Sequence, residues 1–158
     1  MKKLISGLLA YLLAFCFPAE ATALNKEDII GQWRLLAITS NSLYYDLGRD
    51  SIAFNSAVPL KEEEDKESLE TDIRSRFPSN KKHTLSLMAS GHYVMVLMGE
   101  TTAGKYQLND TQEPPTLSIT MPDNQQEEAL KISRSGNTLY LYREDEDNES
   151  LTMIFVLQ

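Results

Sequence analysis

From residue 84 to the end, the chain repeats one pattern: short extended runs, most of them alternating apolar and polar residues, separated by turn clusters. The runs are 84–88, 93–98, 102–108, 116–121, 127–133, 138–143 and 151–157. Between them lie Ala89-Ser90-Gly91-His92, Gly99-Glu100-Thr101, 109–115 with two prolines, Pro122-Asp123-Asn124-Gln125, Ser135-Gly136-Asn137 and the acidic stretch 144–149. Successive side chains of a strand point to opposite faces, so period two marks strands with one face inward. Evenly spaced short strands joined by turns predict an antiparallel sheet closing on itself.

The eighth strand lies earlier, in Ile29-Ile30-Gly31-Gln32-Trp33-Arg34-Leu35. Gly31 permits a sharp turn out of a helical turn over 24–30, where Asn25 suits the N-cap and Glu27 and Asp28 the first turn. Trp33, Leu35 and Ala37 then alternate with Gln32 and Arg34 along a strand over 32–40. The expected fold is all-β: an eight-stranded up-and-down antiparallel barrel with a helical insertion after its first strand.

Chain length supports this as one domain, long enough for a substantial core. The first 23 residues are set apart as a signal peptide. Lys2 and Lys3 precede an apolar run over 4–17, Pro18 breaks it, and Ala21-Thr22-Ala23 fits a cleavage site. The barrel domain is then 24–158, with export to the periplasm or outside the cell. The run is short for a membrane span. Cys16 is the only cysteine, and Phe15 before it fits a lipidation motif poorly, so membrane attachment would require that Cys16 be lipidated. Cleavage after Ala23 leaves no cysteine, hence no disulfide and no thiolate metal ligand. It also leaves 22 acidic and 13 basic residues, net −9, a charge that repels phosphate backbones and argues against nucleic-acid binding.

Between the first two barrel strands, residues 41–59 hold two short extended pieces, Tyr44-Tyr45 and Ile52-Ala53-Phe54. A helix is expected over 60–77. Acids fill its start, Arg74 and Arg76 its end, and Pro78 stops it. Leu69, Ile73 and Phe77 fall four apart in a narrow apolar stripe. The expectation is a hinged lid, docked by those three residues over the barrel mouth or over 93–98, with a frayed start. The 93–98 strand is apolar on both faces, so something must cover its outer side.

The Gly31-x-Trp33 pair after a helical turn, followed by an eight-strand meander, resembles the lipocalin-like (calycin) barrels, closest to small secreted bacterial ones. The resemblance covers most of 24–158. It implies a ligand-binding barrel plugged at one end by the helical turn and Trp33, with an arginine over the indole, for which Arg143 is the best candidate. The Thr-Asp-Tyr turn of animal lipocalins and the Arg-x-Tyr carboxylate clamp of fatty-acid-binding proteins are absent.

Enzyme signals are weak. His83 and His92 lie near opposite ends of one hairpin, read as surface histidines. There is no Gly-x-Ser-x-Gly elbow, phosphate loop or dinucleotide fingerprint. Asp145, Asp147 and Glu149 alternate like a calcium loop without its glycine, so no metal or cofactor is expected. The expected inward set is Trp33, Leu35, Leu85, Leu87, Leu117, Ile119, Leu130, Ile132, Leu139, Leu141, Met153 and Phe155, all apolar. An eight-stranded barrel either fills with such side chains or holds one small ligand.

The connections at one end carry an acidic rim, with Asp145 and Asp147 at the mouth beside the Leu69, Ile73 and Phe77 lid. Two non-enzymatic functions follow as expectations. One is binding of a small apolar or cationic molecule in the cavity. The other is a protein-interaction role, of inhibitor or immunity type, toward a basic protein.

Overall fold

The computed structural model describes residues 24–56, 65–121, 127–144 and 150–158. The signal-peptide reading, Cys16, Asp145 and Asp147 lie outside the described residues. Two helices, α1 (Lys26–Ile29) and α2 (Lys66–Arg76), accompany ten strands. The strands are β1 (Gly31–Ser40), β2 (Leu43–Asp46), β3 (Ser51–Phe54), β4 (Thr84–Leu87), β5 (His92–Leu97), β6 (Glu100–Asn109), β7 (Thr116–Thr120), β8 (Glu127–Ser135), β9 (Thr138–Glu144) and β10 (Ser150–Leu157).

Strands β4 to β10 pair antiparallel in chain order, and β1 closes the ring by pairing with both β4 and β10. The result is the expected closed eight-stranded barrel. β1 shares one edge between two partners: its start lies on β4, with Gly31 opposite Leu87, and its end on β2, with Ile38 opposite Tyr45. The pairing with β10 slips by one residue between Leu35 and Ala37. Such a bulge bends a strand and re-aims its side chains. The two extended pieces of the insertion are thus a paired hairpin, β2–β3, which prolongs the wall beyond β4.

Gly31 is where β1 begins, with φ +154°. A Cβ there would stand 2.8 Å from Leu157 Cδ1 on the neighbouring strand, so a side chain meets both strain and a clash. Ahead of it, the Asn25 backbone N–H donates to Asp28 Oδ2 at 2.9 Å, which fixes the start of α1.

All twelve residues of the expected inward set are buried, none more than 9% exposed. They form one continuous core with Ile29, Ile38, Tyr45, Leu47, Tyr93 and Tyr106. Side chains walling a hollow would expose surface to water inside it. These expose almost none, so the lower and middle barrel is filled. The residues expected to line a cavity are a packed core.

Helix α2 starts later than expected. Asp65 caps it, Oδ1 accepting from Ser68 N at 2.7 Å, and Phe77 ends it just before Pro78. Ile73 and Phe77 pack against the core. Leu69 is half-buried and is not part of that contact. The polar anchors of α2 lie on the β2–β3 side, not along β5: Arg74 pairs with Asp50 and stacks at 5.8 Å on the Tyr45 ring. On the outer face of β5, Val94 and Val96 are half-buried, and Met98 beyond them is 51% exposed.

Candidate functional site at the barrel mouth

The two barrel ends differ in kind. At the base, Trp33 is wholly buried and its Nε1 donates to the Ile29 carbonyl at 2.8 Å. The arginine over the indole is Arg134, at 5.7 Å from the ring, not Arg143. Arg134 also donates to the Asp28 and Gly136 carbonyls, tying α1 to the β8–β9 turn. Chain direction explains the correction. β8 runs down to the base and ends at Ser135, whereas Arg143 stands at the far end of β9. This end is therefore a structural plug.

The mouth end gathers the β2–β3 hairpin, α2, the β5–β6 turn and the upper ends of β8, β9 and β10. The described residues of this end, within segments 41–83, 98–101, 121–128 and 143–150, carry 10 acidic and 7 basic residues, net −3, against +1 for the other described residues. Over their full sequence the same segments carry 18 of the 22 acidic and 8 of the 13 basic residues of 24–158, net −10. Two shallow grooves open on this side. One, about 550 Å³, runs along α2 past Asp65, Glu67, Ser68, Thr71, Asp72 and Ser75. The other, about 240 Å³, lies beside the β2–β3 hairpin at Ser40, Leu43, Tyr44 and Phe54. Neither enters the barrel.

Inside the mouth the core changes character. Glu128 stands opposite the buried Ile119 and thus on the inward face of β8, and Arg143 stands opposite Leu151 on the inward face of β9. The two meet as an ion pair, Nε to Oε1, at 3.2 Å. Below them Tyr93 is 1% exposed, and its hydroxyl has no hydrogen-bond partner among the described residues. Met95 and Leu97 continue that inward face of β5, half-buried, toward the rim. Strand parity alone marks Glu128 and Tyr93 as inward. Their polarity kept them out of an apolar inward set.

His83 corrects another expectation. It is buried, 2% exposed, with Nε2 3.2 Å from the Pro78 carbonyl and its ring against Phe77 at 5.8 Å. Only His92 is at the surface, beside Ser90. No group of three metal-ligating side chains occurs among the described residues, and no helix there is long and apolar enough to cross a membrane.

Three buried tyrosines link the fold to pH. Burial is the main force raising the pKa of Tyr45, Tyr93 and Tyr106; Asp50, Glu128 and Glu27 respectively add to it. A raised folded-state pKa means the folded chain holds these protons more tightly. Their contribution to stability is therefore complete below pH about 10 and is lost as pH rises beyond it. In an alkaline titration followed by NMR, the ring signals of these three should shift together with the loss of the barrel. Ionisation of all three at pH about 10 inside an intact barrel would contradict this.

Comparison with family models, with curated proteins and with solved structures returns no match, so the functional reading rests on the residues themselves.

Proposed function

We propose that this chain is a non-enzymatic binding protein that recognises a basic protein or peptide through its acidic mouth end. The observation that carries this reading is the charge polarity: net −3 among the described residues of the mouth-end segments and −10 over their full sequence, against +1 elsewhere. Such a field concentrates cations and speeds their encounter. The filled core supports the same choice, because little room remains to enclose a ligand. The apolar signal-like segment in the sequence supports an encounter in the periplasm or outside the cell. Kinship with the lipocalin-like barrels is proposed alongside. It is supported by Gly31-x-Trp33, the short α1 and the arginine stacked on the indole.

A second reading, a small apolar or cationic molecule seated in the mouth, is favoured by the unpartnered Tyr93 hydroxyl.

The test is a calorimetric titration with a lysine-alanine decapeptide and its glutamate-alanine counterpart. The basic peptide should bind and the acidic one should not. Affinity should fall about tenfold or more between 0.1 M and 1 M salt, as the screening length contracts from about 10 Å to about 3 Å. Equal binding of both peptides, or none in low salt, would sink the proposal.

A further inference from the structure

We infer that Tyr93, Glu128 and Arg143 form a subsite in the barrel mouth for a single alkylammonium group. This rests on the mouth as the recognition end.

The first observation is the unsatisfied hydroxyl. Tyr93 is buried in the hydrophobic core, and its Oη meets no partner among the described residues. Leaving a buried polar group unpaired is costly, and phenylalanine would fill the same space without that cost. The ring lies over Gly104, its partner across β5 and β6, so close that a Cβ on Gly104 would stand 3.3 Å from Tyr93 Oη. The missing side chain lets the phenol reach across β6 toward the side of the barrel where Glu128 stands.

The second observation is independent: an ion pair at inward-facing strand positions of the rim, its Glu128 side chain 26% and its Arg143 side chain 52% exposed. Glu128 and Arg143 occupy positions that continue the apolar stripes Glu128–Leu130–Ile132 and Leu139–Leu141–Arg143, where a purely structural core would place aliphatic residues. Arg143 meets Glu128 through Nε to Oε1 at 3.2 Å. The side chain of Glu128 keeps 26% of its surface exposed, so the carboxylate is reachable from the mouth.

The chemistry of the set selects the ligand. An ammonium group carries three donors and needs acceptors in more than one direction. The Glu128 carboxylate offers a charged acceptor and Tyr93 Oη a neutral one. Half-buried Met95 and Leu97 offer apolar surface for a methylene stem. A carboxylate fits poorly, since Arg143 is already neutralised by Glu128 and the surrounding rim is negative. The nearby carboxylate also helps burial hold the Tyr93 pKa up, keeping the phenol neutral. The amine could be a free alkylamine or a lysine side chain of a basic partner; the subsite chemistry is the same.

The test uses the 24–158 protein with n-hexylammonium chloride as probe, and n-hexanol and hexanoate as controls, followed by amide and tyrosine-ring NMR. Hexylammonium should give saturable shifts at Tyr93, Gly104 and Glu128. Glu128→Gln should weaken it about tenfold or more, as loss of a charge-assisted hydrogen bond does, and Tyr93→Phe severalfold. Both variants are close isosteres, and thermal melts verify that they fold.

The lysine-alanine decapeptide separates the sources. If lysine is the natural occupant, peptide affinity drops in Glu128→Gln and hexylammonium competes with it. If the peptide is indifferent while hexylammonium still depends on Glu128, the subsite takes a free amine. The subsite is overturned if hexanoate binds as well as hexylammonium, if Glu128→Gln leaves hexylammonium affinity unchanged, or if Tyr93 Oη is met by an ordered water only. Peptide binding equal in all three proteins with no hexylammonium binding removes the subsite and leaves the mouth reading. Absence of both removes the two together.

Discussion

Replacing Trp33 with alanine should cost the barrel roughly 3–5 kcal/mol, the range for removing a large aromatic from a packed core. Three separate interactions end with the indole. Its buried ring leaves a void against Gly31 and Leu157, the strand partner of Trp33. The Ile29 carbonyl loses the 2.8 Å bond from Nε1. Arg134 loses the face on which it stacks, worth about 0.5–2 kcal/mol. Trp33→Phe restores most of the volume but neither the N–H nor the full ring face, so it should fall between wild type and alanine. The effect is read from urea unfolding, and a drop of melting temperature on the order of 10–20 °C should accompany it for alanine. A variant that melts within a few degrees of wild type would mean that the base does not close on this residue.

Gly104→Ala should be nearly as damaging, by about 3 kcal/mol, at the upper end for overpacking a core. Here the difficulty is contact, not conformation. A Cβ at Gly104 would stand 2.2 Å from the Thr120 carbonyl oxygen and 3.0 Å from Tyr93 Cε1. The first of these is backbone on the adjacent strand and can yield only if β6 and β7 part, which breaks their ladder. The second is a ring that could turn. Shortening Tyr93 to leucine in the same molecule should therefore fail to rescue the alanine variant. Rescue would show that the ring, not the strand spacing, sets the requirement for glycine. A loss below about 0.5 kcal/mol would show that β6 and β7 have more room than these distances allow.

Both effects depend on features of unequal legibility in the sequence. Trp33, Leu35 and the other ten inward residues could be read because a half-buried strand imposes period two on its side chains, and the apolar ones announce their face. Gly104 carried no such sign, since its role is set by how closely β7 approaches. The β2–β3 hairpin was visible only as two extended fragments, because its pairing with β1 depends on the bulge at Leu36, which no local pattern reveals. Arg134 was legible in principle. A meander alternates direction, so the end of β8 returns to the end where β1 begins, and counting strands selects Arg134 over Arg143.

The polar members of the mouth were hidden by the same rule that found the core. Glu128 shares its face with Leu130 and Ile132, and Tyr93 with Met95 and Leu97, but hydrophobicity marks only the apolar members of a face. Burial of His83 depends on Phe77 folding back over it from α2, a contact that the intervening Lys81 and Lys82 give no reason to expect.

The central claim is that the barrel interior is structural and the acidic mouth does the binding. Amide NMR of the 24–158 protein, titrated with the lysine-alanine decapeptide in low salt, tests it most directly. Shifts should fall on β2–β3, α2, the β5–β6 turn and the upper ends of β8, β9 and β10. Residues of α1, the 88–91 turn, 110–115 and 136–137 should stay still. Shifts centred on those base segments, or on the twelve packed side chains without the rim, would contradict the account.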